Sequence, residues 1–110
     1  MAEPYSECKV MIDYPGRIGS RINKKEGKVL YCEENGVPRL RILQGKKETI
    51  FDLDSPDLVS FKINAQRISD GLISFQFSYS YGMLCNVLLS DPLTLNGFYN
   101  LVDALARHIH

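Results

Sequence analysis

The chain changes its hydrophobic period once, near residue 91, and this switch limits the folds open to it. From residue 72 to 81, Ile73, Phe75, Phe77, Tyr79 and Tyr81 alternate with Leu72, Ser74, Gln76, Ser78 and Ser80. Successive side chains of a strand point to opposite faces, so period two sends one set into a core. After Ser90-Asp91-Pro92 the period becomes helical. Leu95, Phe98, Leu101, Val102, Leu105 and Ile109 make one stripe, and Asn96, Asn100, Asp103 and Arg107 fall away from it. One apolar stripe means one buried face, so a helix over about 92–109 should lie on a sheet or plug the end of a barrel. Asp91 with Pro92, or Asn96, would cap its start.

Other alternating runs precede the switch. Cys8, Val10, Ile12 and Tyr14 alternate with Lys9, Met11 and Asp13, predicting a strand over 6–14 that ends at Pro15-Gly16. Strands over 28–33 and 37–43 flank Asn35-Gly36, a pair suited to the positive φ angles of a type I′ hairpin turn. Further strands are predicted over 48–53 and 58–63, the latter with Val59, Phe61 and Ile63 on one face. Met83 to Leu89 forms the last. The reading is one domain over 1–110, mainly β, with strands across about 6–89, one C-terminal helix and no parallel βαβ unit.

Charge and composition exclude several classes. The 13 basic and 13 acidic side chains cancel, whereas a nucleic-acid binder normally carries a basic excess. The first 50 residues hold ten Lys or Arg against seven Asp or Glu, so a modest basic face is expected there. Cys8, Cys32 and Cys85 are odd in number, widely spaced and outside any zinc-ligand pattern. They read as reduced, buried thiols of a cytoplasmic or nuclear protein. No apolar run is long enough for a membrane span, and the N-terminus lacks signal-peptide character.

Seven strands closed by one amphipathic helix is the order of elements in the pleckstrin-homology-like superfamily, which the chain resembles. The run Met83-Leu84-Cys85-Asn86-Val87-Leu88-Leu89-Ser90-Asp91, followed by Phe98, Leu101, Val102 and Leu105, looks like that family's last strand and capping helix. Phe98 stands where the family often carries an aromatic residue, commonly Trp, which this chain lacks. The polo box, with six strands and a helix, is a near alternative. The resemblance implies an antiparallel barrel or sandwich capped by the helix.

Two functions follow as expectations. The first is a non-enzymatic adaptor or scaffold module that binds another protein or peptide, as a homo- or hetero-oligomer. Its site is expected at Leu84 and Leu88, because Met83, Cys85, Val87 and Leu89 already supply one buried face of their strand. Leu93 and Tyr99 should border them, with Arg39 and Arg41 as a charged rim. The alternative is a phosphoinositide-headgroup site. Lipid-binding relatives use basic residues of the first two strands and their loop, and here Arg17, Arg21, Lys24, Lys25 and Lys28 fall in that region, without the family's compact basic pattern.

Catalysis has no support. No nucleophile elbow or phosphate-binding glycine loop is present, and Gly16-Arg17-Ile18-Gly19-Ser20 matches neither phosphate-binding fingerprint. No cofactor is expected. His108 and His110 read as a frayed or truncated end.

Overall fold

The computed structural model describes residues 3–16 and 24–110. It contains β1 (Tyr5–Asp13), β2 (Lys25–Glu34), β3 (Val37–Gln44), β4 (Lys47–Asp52), β5 (Leu58–Arg67), β6 (Leu72–Tyr79), β7 (Leu84–Ser90) and α1 (Leu95–Ala106). A short 3₁₀ turn, Ile68–Asp70, joins β5 to β6. The strands form one antiparallel sheet in the order β4-β3-β2-β1-β7-β6-β5. This is the mainly β, helix-capped architecture expected from the sequence, with one strand more than a polo box.

The sheet curls so that one face encloses the core. Val10 and Ile12 of β1, Leu40 and Ile42 of β3, Ile73, Phe75 and Phe77 of β6, and Cys85, Val87 and Leu89 of β7 are all buried there. The helix closes it with Phe98, Leu101, Val102, Ala104 and Leu105. It packs chiefly against β1 and β2. The Asn35-Gly36 hairpin forms as expected, with both residues at positive φ (54° and 79°).

Four expectations are corrected. The face of β5 holding Val59, Phe61 and Ile63 does not exist as such: Leu58 pairs with Tyr79 and Ser60 with Ser78, so Val59 is the extra residue of a bulge. The bulge resets the alternation. Leu58 and Phe61 are buried, and Val59 is 60% exposed. Second, β6 ends at Tyr79, where Gly82 N donates to Tyr79 O at 3.0 Å. Tyr81 therefore lies in the turn, exposed rather than in the core.

Third, the helix is shorter than the periodic stripe, and neither Asp91 nor Asn96 caps it. Thr94 does, with an extended backbone and Oγ1 accepting from Gly97 N at 3.2 Å. Tertiary contacts set this choice. Leu93 N donates to Glu7 O at 2.7 Å, tying the approach segment to β1. Pro92 covers Gly71, where a Cβ would lie 2.5 Å from Pro92 Cδ. Replacing Thr94 by Ala should cost about 1 kcal/mol, measured by urea denaturation, because it orphans an N-terminal amide.

The C-terminus is not frayed. His110 and Phe61 exchange backbone hydrogen bonds of 2.9 and 3.0 Å, which add the last residue to the free edge of β5. Tyr31 Oη donates to Glu33 Oε1 at 2.7 Å. Its single proton is thereby used, so the 2.8 Å contact from His108 Nε2 must be a donation from the histidine. Burial, then the Glu33 contact, pushes the Tyr31 phenol up to about 12, so it keeps that proton.

Candidate functional site

Strands β6 and β7 contain no charged residue. Their outward positions are Leu72, Ser74, Gln76 and Ser78 on one strand, and Leu84, Asn86 and Leu88 on the other. The opposite, inner face is buried in the core. Leu84 is 38% exposed and Leu88 half-buried. The register sets Leu88 between Met11 and Ser74, and Leu84 beside Ser78. At the centre, Asn86 Oδ1 accepts from Gln76 Nε2 at 3.2 Å and from Asn64 Nδ2 at 3.4 Å. The result is a neutral surface of amides and hydroxyls that carries the exposed Leu84 and the half-buried Leu88.

The other outer surface, on β1 to β4, differs. Arg39 bonds Asp52 at 2.7 Å and Glu34 at 3.1 Å, and Arg41 bonds Glu48. Both arginines expected as a rim are thus tied to acids on their own sheet. They sit on β3, three strands from β7, or about 14 Å away. Leu93 and Tyr99 lie elsewhere again. Leu93 is 74% exposed beside Glu7 of β1, beyond the end of β7, and Tyr99 is exposed on α1. Leu84 stands six residues, roughly 20 Å, from that end. The structure keeps Leu84 and Leu88 on one face, sets Arg39 and Arg41 on β3, Leu93 beyond the end of β7, and Tyr99 on the helix.

Of the basic residues, Arg17 and Arg21 lie outside the described residues. Lys24, Lys25 and Lys28 are exposed. Asp91 Oδ2 lies 3.6 Å from Lys9 Nζ and 3.7 Å from Lys24 Nζ. A cleft of about 420 Å³ opens beside them, and Glu7, Glu26 and Asp91 share its walls with Lys9 and Lys28. Lys28 Nζ sits 4.5 Å over the Tyr5 ring. Lys24 thus faces a carboxylate and Lys28 an aromatic ring.

Among the described residues, no three His, Cys, Asp or Glu side chains are grouped to hold a metal. All three cysteines are free and buried. Burial pushes Cys8 and Cys85 up to about 11, so neither is a thiolate at neutral pH. No described helix is long and apolar enough to cross a membrane.

Seven antiparallel strands, curled and capped by one C-terminal helix, define a pleckstrin-homology-like fold. The solved structure of the pleckstrin homology domain of USP37 superposes on this chain with a TM-score of 0.60 over 96% of each chain, at 11% sequence identity. That likeness concerns the fold. No protein-family model and no curated protein matches the chain.

Proposed function

We propose that this domain is a non-enzymatic protein-interaction module that binds its partner through the uncharged outer face of β6 and β7. One observation carries the reading: two neighbouring strands without a charge leave Leu84 and Leu88 uncovered by the fold's own helix. Interface centres are depleted in charge relative to the remaining surface. The likeness to a pleckstrin homology domain supports a module of this class. The finer statement, that it serves as an adaptor or scaffold, rests on the same face. Phosphoinositide binding stays the weaker reading because Lys24 pairs with Asp91 and the cleft beside Lys28 is also walled by Glu7 and Glu26.

The test is to replace Leu84 and Leu88 singly by Glu, then measure melting and partner capture together. Leu84→Glu should leave stability within about 0.5 kcal/mol, as surface changes usually do. It should remove most of the captured partner, since a buried unpaired carboxylate at an interface centre is costly. Capture by the Leu84→Glu chain equal to the parent's, with both folded, rejects this face.

A further inference from the structure

Across the uncharged face the sheet register builds one row from four strands. Asp13 of β1 is opposite Asn86 of β7, Asn86 is opposite Gln76 of β6, and Gln76 is opposite Lys62 of β5. The row therefore reads acid, amide, amide, base. Among the described residues neither Asp13 nor Lys62 makes an ion pair. Asn86 uses its carbonyl oxygen twice, for Gln76 and Asn64, and its amide donors point to no acceptor within the described residues.

Such a row is its own complement. A two-fold axis parallel to the strands, between β6 and β7, exchanges β1 with β5 and β7 with β6. Two copies stacked about that axis set Asp13 of each against Lys62 of the other, and Asn86 of each against Gln76 of the other. The next row, Met11, Leu88, Ser74 and Ala65, maps onto itself in the same way, Leu88 meeting Ser74 and Met11 meeting Ala65. A two-fold contact uses one patch on both partners, so this self-complementarity is what it requires. Aligned packing of twisted sheets supplies the geometry. The chain's formal net charge of +0 puts no general repulsion between copies.

We infer that the partner of this face is a second copy of the chain, joined by two Asp13–Lys62 pairs across a two-fold axis. The inference rests on the interaction reading above. Four strands of about seven residues cover roughly 450 Å² on each copy, well under the ~800 Å² of a standard interface, so the dimer is weak and concentration-dependent.

The experiment is sedimentation equilibrium of the purified chain from about 10 µM to about 1 mM, a range set by the affinity of so small a contact. The parent mass should rise from 12.5 kDa toward twice that value. Lys62→Glu alone and Asp13→Lys alone each turn two attractions into two repulsions, and should weaken association roughly tenfold or more. Lys62 is exposed, so the melt of its variant should match the parent's. The decisive arm mixes the two single variants. Each is weak alone, yet one supplies two acids and the other two bases, so the mixture should associate as tightly as the parent. A parent that stays monomeric to ~1 mM, single variants that associate like the parent, or a mixture no tighter than its components overturns the inference. Monomeric parent protein whose partner capture is still lost on Leu84→Glu would overturn self-association and leave the interaction reading standing.

Discussion

Deleting residues 92–110 is expected to leave a chain that aggregates and no longer melts cooperatively. The helix closes the core: Phe98, Leu101, Ala104 and Leu105 are fully buried and Val102 nearly so. Without it the inner faces of β1 and β2 lose their cover, and the free edge of β5 loses its pairing with His110. The scale of the loss follows from one residue. Phe98→Ala alone should cost about 3–5 kcal/mol, the usual range for a buried aromatic. A domain of this size has only about 5–15 kcal/mol in total. Removing Phe98 together with Leu101, Val102 and Leu105 exceeds any plausible reserve. Circular dichroism against temperature, with light scattering recorded alongside, checks both variants. A truncated chain that melts cooperatively near the parent temperature would show that the strands hold the core unaided.

Alternation was legible wherever a strand has one face on the core and an unbroken partner. Val10 and Ile12 on β1, and Cys85, Val87 and Leu89 on β7, are buried as their spacing requires. It failed where geometry inserts a residue. Nothing in Leu58-Val59-Ser60 announces a bulge, because a bulge is a property of the pairing with β6 and not of β5 alone. The helix cap failed for a related reason. Asp91, Thr94 and Asn96 are all chemically competent caps. The Leu93–Glu7 hydrogen bond and the Pro92–Gly71 contact, both long-range, select Thr94.

The candidate site divides along the same line. That Leu84 and Leu88 lie opposite a buried face could be read from period two alone. That Arg39 and Arg41 are consumed by Glu34, Asp52 and Glu48 could not, since those acids arrive through turns and cross-strand register. The row Asp13, Asn86, Gln76 and Lys62 is scattered over the whole sequence and exists only after β1, β7, β6 and β5 have paired.

The last large effect is expected at Phe77. The strands β4 and β5 are the two ends of the sheet and share no ladder. An aromatic stack joins them across the core. Phe77 of β6 lies between Phe51 of β4, with ring centroids 4.5 Å apart and planes at 13°, and Phe61 of β5, at 4.7 Å and 16°. Both neighbours are held by the same ring, so its removal opens a cavity and breaks two stacked pairs together. Phe77→Ala should therefore lie at the upper part of the usual Phe-to-Ala range, about 4–5 kcal/mol, because rings on separate edges cannot collapse easily into the gap. Phe77→Leu, which keeps most of the volume but not the stacking, should recover more than half of that. Tyr81, stacked on Tyr79 at 5.4 Å but 63% exposed in its turn, is the control. Its replacement by Ala should cost about 0.5 kcal/mol or less. Urea denaturation midpoints for the three variants measure the ranking. A Phe77→Ala loss below about 1 kcal/mol, a value typical of partly exposed sites, would mean that the sheet ends are held by the helix and not by the aromatic stack.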